Sequence, residues 1–178
     1  MVPETFTVSF TTTRGQFTVE ARTAWAPLGA ARFHELVETG FYNDVAFFRV
    51  LPGFVAQFGI NGDPARSAQW GDKVIQDDPV VGSNTTGTIS FAMAGPNTRT
   101  TQLFVNLADN SRLDGMGFAP FAEVTDGMSV IQSLCSEYGE GAPRGRGPDQ
   151  GLIQSDGNTY LREQFPNLDY VTEASVTT

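Results

Sequence analysis

Alternating apolar and polar residues identify the first two strands of this chain. Phe6, Val8 and Phe10 share one face of residues 5–10, and residues 16–21 repeat the alternation after a short polar loop. Strict alternation is typical of a half-buried β-strand, so these two segments predict a β-hairpin. Short apolar segments bounded by turn residues predict six further strands, over residues 45–50, 54–58, 88–93, 103–107, 118–124 and 170–176.

Two other segments show helical spacing instead. Ala30, Phe33 and Val37 recur at helical intervals before Gly40, and a second apolar stripe predicts a helix over residues 128–136. Many short strands, two distant helices and no alternation of strand with helix indicate an all-β fold with two helices. We therefore expect a closed eight-stranded antiparallel β-barrel capped by two α-helices.

The length of 178 residues predicts a single domain over residues 1–178. Its core spans about 5–136, and the C-terminal segment adds a closing strand. Residues 137–157 are predicted to be a Gly/Pro-rich loop, since residues 139–148 alone contain six glycines or prolines. The glycines and arginines there also suggest a phosphate- or RNA-binding loop, but the segment follows a helix in an acidic protein, which favours a plain surface connection.

Charge excludes several classes of partner. The chain has 20 acidic and 11 basic residues, a net charge of −9. Such a surface repels phosphate backbones and anionic lipids, so neither nucleic acid nor a membrane is an expected partner. No run approaches 18 apolar residues and the N-terminus lacks a signal-peptide pattern, which predicts a soluble protein. A cytoplasmic location is favoured, and an exported form whose signal has been removed stays open.

The chain has one cysteine and one histidine, Cys135 and His34, which narrows the possible chemistry. An intrachain disulfide and a clustered thiolate metal site are excluded. A Ser-His-Asp hydrolase would need His34 as its base, and the Gly-x-Ser-x-Gly turn is missing. We expect no metal and no cofactor.

The most informative segment is residues 46–58, whose only two polar side chains are Arg49 and Gln57. Removing a guanidinium from water is costly unless partners compensate it. A tight turn at Pro52-Gly53 would place Arg49 and Gln57 on adjacent antiparallel strands, where Gln57 can accept a hydrogen bond from Arg49. An arginine on a solvent-facing strand is the alternative, but the four neighbouring phenylalanines favour an arginine fixed at the wall of an apolar pocket.

Three motifs connect these residues to a known family. Residues 47–58 read Phe-Phe-Arg-Val-Leu-Pro-Gly-Phe-Val-Ala-Gln-Phe, and residues 94–104 read Ala-Gly-Pro-Asn-Thr-Arg-Thr-Thr-Gln-Leu-Phe. With Leu-Asp-Gly at 113–115, they resemble the cyclophilin family of peptidyl-prolyl cis-trans isomerases over roughly residues 5–136. The resemblance implies the barrel described above, an isomerase that needs no cofactor, and binding of proline-containing peptides and unfolded or flexible protein segments. We expect a monomer.

The resemblance also implies roles for ten residues. The catalytic group comprises Arg49, Phe54 and Gln57. The substrate-binding group comprises Val55, Ala92, Met93, Gln102, Phe104, Leu113 and Phe118. Phe48, Met93 and Arg112 depart from the His, Asn and Trp that many members carry at these places. The departure at Arg112 disfavours tight cyclosporin binding more than it disfavours catalysis.

The chemistry of X-Pro rotation suits these residues. Rotation localises the lone pair of the prolyl nitrogen, so a hydrogen-bond donor directed there stabilises the twisted state more than the planar one. Two alternatives are open: a proline-peptide binding module with weakened catalysis on the same fold, and a ligand-carrying barrel. The many inward-facing phenylalanines disfavour the second, which needs an open interior.

Overall fold

The computed structural model describes residues 2–178, in which nine strands form one curled antiparallel sheet. The order across the sheet is β3-β9-β1-β2-β8-β6-β7-β5-β4. The strands are β1 (Thr5–Thr12), β2 (Gly15–Arg22), β3 (Val45–Ala46), β4 (Arg49–Leu51), β5 (Val55–Phe58), β6 (Thr88–Phe91), β7 (Leu103–Asn106), β8 (Ala122–Asp126) and β9 (Tyr170–Val176). The barrel-like all-β class is confirmed.

The count of strands differs from the expected eight because one predicted strand is divided. Residues 45–50 contain all of β3 and the first two residues of β4, and Phe47 and Phe48 separate the two strands. β3 pairs with β9 at one edge of the sheet and β4 pairs with β5 at the other. The expected closed barrel is therefore open in its hydrogen bonding, and two residues of chain join its edges.

Residues 2–178 contain four α-helices where two were predicted. They are α1 (Pro27–Glu38), α2 (Pro64–Trp70), α3 (Met128–Gln132) and α4 (Gln150–Gln164). The first and third correspond to the predicted pair, although α3 ends before residue 136. The apolar stripe of α4 is weak because two of its four buried positions are Gly157 and Asn158, and Gly157 also has non-helical angles, φ 64° and ψ −147°. The segment predicted as a loop to residue 157 therefore becomes helical at Gln150.

Phenylalanine fills the inside of the sheet. Phe10 stacks on Phe17 at a centroid distance of 4.8 Å, and Phe33 of α1 lies 4.9 Å from Phe121. All four rings are at most 1% exposed. An interior filled by these rings disfavours a ligand-carrying barrel, which needs an open interior.

A buried ion pair holds the start of α1. Asp78 accepts hydrogen bonds from the backbone N–H groups of Leu28 and Gly29 at 3.0 and 2.9 Å. Nη2 of Arg99 lies 3.1 Å from Asp78 Oδ2, and the two side chains are only 4% and 3% exposed. The connection between α2 and β6 is therefore tied to α1 through the carboxylate of Asp78.

No helix within residues 2–178 combines the length and the apolar character needed to cross a bilayer.

Candidate active site

A cavity of about 530 Å³ opens beside β4, β5 and β7, and we refer to it as the Arg49 cavity. Residues of the sheet and of the 3₁₀ segment Ser111–Met116 form one side. Residues 140–144, Pro148 and Gln150 form the other. The side chains on the sheet and 3₁₀ side are those of Phe48, Arg49, Phe54, Val55, Gln57, Ala92, Met93, Phe104, Leu113, Met116 and Phe118.

Strand pairing places Arg49 and Gln57 opposite each other. They are register partners on β4 and β5, and Arg49 Nη1 donates to Gln57 Oε1 at 3.0 Å. The side chain of Arg49 is 22% exposed, so most of it lies against the protein. The predicted hydrogen bond across the Pro52-Gly53 turn is present.

The arginine sets the direction of a longer hydrogen-bonded chain. A guanidinium can only donate, so Gln57 must present its oxygen to Arg49 and its amide nitrogen to the next residue. Gln57 Nε2 donates to Gln102 Oε1 at 2.9 Å, and Gln102 Nε2 donates to Gln150 Oε1 at 3.1 Å. The orientations of the Gln57 and Gln102 side-chain amides therefore follow from the positive charge of Arg49 at one end of this series of hydrogen bonds.

A carboxylate occupies the other side of the guanidinium. Nε and Nη2 of Arg49 donate to the two oxygens of Glu140 at 2.7 and 2.8 Å, which is a bidentate pair. These hydrogen bonds from Arg49 lower the pKa of the Glu140 carboxyl below its ordinary value. The N–H of Gly141 and the charge of Arg144 act in the same direction, and partial burial acts against them. Glu140 is therefore ionised at neutral pH.

The wall facing Arg49 is apolar. Val55, Phe104 and Leu113 form a buried cluster, and Phe54 and Phe118 pack against it. The ring of Phe118 meets Phe104 edge to face, with centroids 5.5 Å apart. A surface of this composition suits a small apolar ring that lies close to the guanidinium.

Buried asparagines hold this wall in place. Asn110 donates to the Phe54 carbonyl at 2.8 Å, and Asn84 donates to the Phe118 carbonyl at 2.9 Å. Asp114, next to Leu113, accepts from Ser83 Oγ at 2.5 Å and from the backbone N–H of Asn84 at 2.8 Å. Burial raises the pKa of the Asp114 carboxyl, but the hydrogen bonds from Ser83 and Asn84 outweigh burial and lower it.

Two arginines lie at the mouth of the cavity. The guanidinium of Arg112 stacks over the ring of Phe54, 5.2 Å from its centroid, and Arg144 lines the cavity. Arg49 approaches the same Phe54 ring at 5.8 Å. The mouth is therefore locally basic, although the chain as a whole carries a charge of −9.

Nine of the ten predicted site residues line the Arg49 cavity, and Gln102 is the exception. It lies in a neighbouring groove beside Ile60 and Trp70 and reaches Arg49 only through Gln57. Sequence reasoning missed Met116, Glu140 and Gln150. One signal for Glu140 was available: a half-buried arginine needs an acidic partner, and Gln57 is neutral.

The described residues offer no obvious metal site. Within residues 2–178, no three or more His, Cys, Asp or Glu side chains are placed to share a metal ion. The arrangement around Arg49 can hold an apolar ring, present N–H donors to it and keep a positive charge beside it.

Comparisons with known proteins agree with this geometry. Over 144 residues the chain is 37% identical to "Peptidyl-prolyl cis-trans isomerase-like 1" of Aspergillus oryzae, covering 76% of this chain and 87% of the relative. It is 35% identical over 133 residues to a peptidyl-prolyl cis-trans isomerase of Schizosaccharomyces pombe, covering 71% and 83%.

Solved structures show the same fold. A cyclophilin type peptidyl-prolyl cis-trans isomerase of Cryptosporidium parvum superposes with a TM-score of 0.70 at 19% identity, covering 98% of each chain. A second structure described by the same name, obtained in the presence of the dipeptide Ala-Pro, gives a TM-score of 0.67 at 18% identity. It covers 97% of this chain and 99% of that one.

The family model "Cyclophilin type peptidyl-prolyl cis-trans isomerase/CLD" matches residues 7–148, which include every predicted site residue and every strand except β9 and the first two residues of β1. Together with the relatives, this match shows that the chain belongs to the cyclophilin-type peptidyl-prolyl cis-trans isomerases.

Proposed function

We propose that the Arg49 cavity catalyses rotation about X-Pro bonds, with Arg49 stabilising the twisted prolyl nitrogen. The observation that carries the proposal is the set of free donors on Arg49. A guanidinium has five N–H groups, and three of them bond to Gln57 and Glu140. One N–H on Nη1 and one on Nη2 are left for a substrate.

The reaction requires little else from the protein. A barrier of about 18–20 kcal/mol arises from the partial double-bond character of the peptide C–N bond. In the twisted state the prolyl nitrogen becomes a hydrogen-bond acceptor, and a donor fixed in a partly dry cavity stabilises it. Such a preorganised donor contributes about 3–4 kcal/mol, or roughly 10²–10³ in rate.

The remaining site residues suit the binding of the proline. Val55, Phe104 and Leu113 present a buried apolar wall for the pyrrolidine ring. Phe54 and Phe118 extend this wall toward the mouth, and Ala92 and Met93 line the edge along which the peptide chain would run. We assign Gln57 to the support of Arg49 and Gln102 to the support of Gln57.

The substrates we propose are proline-containing peptides and flexible or unfolded protein segments. The cavity of about 530 Å³ is large enough for a proline with its neighbours. The Cryptosporidium parvum structure obtained with Ala-Pro supports this class by analogy.

The test is exchange spectroscopy on an Ala-Xaa-Pro-Phe peptide, with the wild-type protein compared with Arg49→Ala. We expect wild type to accelerate cis–trans exchange and Arg49→Ala to lose about 10²- to 10³-fold. Arg162→Ala is the matched control, because Arg162 is an exposed arginine that pairs with Asp44 outside the cavity.

The alternative is a proline-peptide binding module with weakened catalysis. One observation favours it: the Glu140 carboxylate neutralises part of the charge that Arg49 would offer to a substrate. Under this alternative the peptide binds to wild type without faster exchange, and that result would refute the proposed isomerase activity.

A further inference from the structure

The segment from Gly139 to Gln150 supplies both ends of the hydrogen-bonded network around Arg49. Glu140 bonds the guanidinium directly, and Gln150 accepts from Gln102 at the far end. This segment precedes and begins α4, outside the sheet that carries Arg49 and Gln57. The network therefore fixes the segment against the barrel at two points.

We propose that Glu140 is a positioning residue that holds the Arg49 guanidinium in the orientation used for X-Pro rotation. This inference rests on the proposed function of Arg49. Glu140 acts through Arg49 by way of their hydrogen bonds.

The hydrogen-bond geometry supports a positioning role. Gln57 bonds a single nitrogen of Arg49, which leaves the plane of the guanidinium free to turn about that contact. The bidentate pair with Glu140 uses Nε and Nη2 together and fixes the plane. We refer to this bidentate pair as the Glu140 clamp. It leaves one free N–H on each of Nη1 and Nη2, so it does not occupy the donors required for the reaction.

The loop around Glu140 is built to hold this carboxylate. Gly141 donates its backbone N–H to Glu140 Oε1 at 2.9 Å, and Gly147 donates to the Glu140 carbonyl at 2.8 Å. A Cβ at Gly145 or Gly147 would lie 2.3 or 2.8 Å from that same carbonyl oxygen. Real Cβ atoms do not approach so closely, so a side chain at either position would displace Glu140.

These contacts explain the composition of the segment. The alternation of glycine and arginine at 144–147 suggests a phosphate or RNA loop. In the structure, Gly145 and Gly147 instead pack closely against the backbone of Glu140. The arginine side chains between them are exposed.

The kinetic test uses a double-mutant cycle. Misplacing a catalytic group by about 1 Å can cost up to about 10²-fold, so we expect Glu140→Ala to lower kcat about 10-fold or more with KM little changed. Gly145→Ala should reproduce this loss because it displaces the same residue. Two control variants should keep wild-type kcat. Glu163→Gln changes an exposed acidic residue on α4, and Gly71→Ala adds a Cβ that meets nothing closer than 3.7 Å.

The cycle separates positioning from a general structural effect. In an Arg49→Ala background, Glu140→Ala should produce no further loss of residual activity, because the residue it positions has been removed. An equal loss in both backgrounds would overturn the proposal. A rise in kcat on Glu140→Ala would also overturn it, since Glu140 would then be an inhibitor of Arg49.

A second measurement does not depend on turnover. In ¹⁵N-labelled protein, the Nε–Hε signal of Arg49 should be resolved and slow to exchange with water, and it should lose that protection in Glu140→Ala while Glu163→Gln keeps it. An Arg49 signal equally unprotected in wild type and Glu140→Ala would refute the clamp. A protected signal in a wild-type protein that fails to accelerate exchange would refute the proposed function and retain the clamp.

Discussion

Gln57 lies directly opposite Arg49 across the β4–β5 pair, and its Oε1 accepts from Arg49 Nη1 at 3.0 Å. The relationship follows from the turn at Pro52-Gly53, which folds the two strands back in register. It also sends the Gln57 amide nitrogen toward Gln102. One residue thus links the arginine to the neighbouring groove.

Replacing Gln57 with leucine should therefore lower activity without unfolding the protein. Leucine keeps most of the buried volume, but Arg49 Nη1 loses its acceptor and Gln102 Oε1 loses its donor. A hydrogen bond to a charged group contributes about 1.5–3 kcal/mol, which corresponds to a loss of roughly 10- to 100-fold in kcat/KM. Peptide exchange spectroscopy measures it, and Gln164→Leu on the exposed end of α4 is the control. Wild-type activity in Gln57→Leu would contradict the role assigned to Gln57.

Asp78 provides a prediction about stability. Its carboxylate is the only acidic partner of the buried Arg99 among residues 2–178, and it accepts from two N–H groups at the start of α1. Asp78→Ala would leave a buried guanidinium without a counter-charge, which costs about 3–5 kcal/mol. Denaturant unfolding should show that loss.

The control for Asp78 is Asp72→Ala, because Asp72 is exposed and forms no salt bridge among the described residues. We expect its unfolding free energy to stay within about 0.5 kcal/mol of wild type. A similar loss in both variants would show that net charge, and not the buried pair, determines the effect.

Most of the sheet could be read from the sequence because its strands alternate cleanly. Phe6, Val8 and Phe10 are all buried, as their spacing predicts. The helix α4 was missed because Gly157 and Asn158 occupy two of its four buried positions, and α2 was missed because none of its residues is fully buried. Local patterns carry information only where the buried face is regular.

The candidate site likewise has one part that the sequence predicts and one part that it does not. Arg49 and Gln57 could be paired from sequence because a tight turn connects them. Glu140 reaches Arg49 across 91 residues of chain, and nothing in its own neighbours specifies the contact. Only the energetic requirement of a half-buried guanidinium indicates that some carboxylate must lie nearby.

The pH dependence of activity should reflect the ionisation of the Glu140 carboxyl. Its carboxyl has a pKa below the ordinary value of 4.5, mainly because of the hydrogen bonds from Arg49, so the ionised form is favoured in the folded protein. The contact is complete above the ordinary pKa and is lost as the pH falls through the lowered one. We expect kcat to stay level from pH 7 to about pH 5 and to decline only below the ordinary range of glutamate.

The pH profile of Glu140→Gln isolates this effect. The charges facing the carboxylate are those of the Arg49 and Arg144 guanidinium groups. Asp114, whose pKa is also lowered, is unchanged in the variant. The acidic decline should therefore be weaker in Glu140→Gln than in wild type, with circular dichroism confirming that both stay folded. Superimposable profiles would contradict the assignment.

The basic mouth of the cavity predicts a preference among substrates. Arg144 lines the cavity and Arg112 stacks over Phe54, one of its lining residues, and neither arginine pairs with a carboxylate among residues 2–178. An exposed charge pair contributes about 0.2–1 kcal/mol, or up to roughly fivefold in affinity. Ala-Glu-Pro-Phe should therefore show a lower KM than Ala-Lys-Pro-Phe, despite the net charge of −9 on the chain.

The paired variant Arg112→Gln/Arg144→Gln tests whether these two arginines cause the preference. It should remove most of the difference between the two peptides, and so should about 0.5 M salt, because the charges are exposed and screened. Arg162→Gln, the same substitution outside the cavity, should leave the preference intact. A preference for the lysine peptide in wild type would show that the overall negative charge of the protein dominates the local field at the mouth.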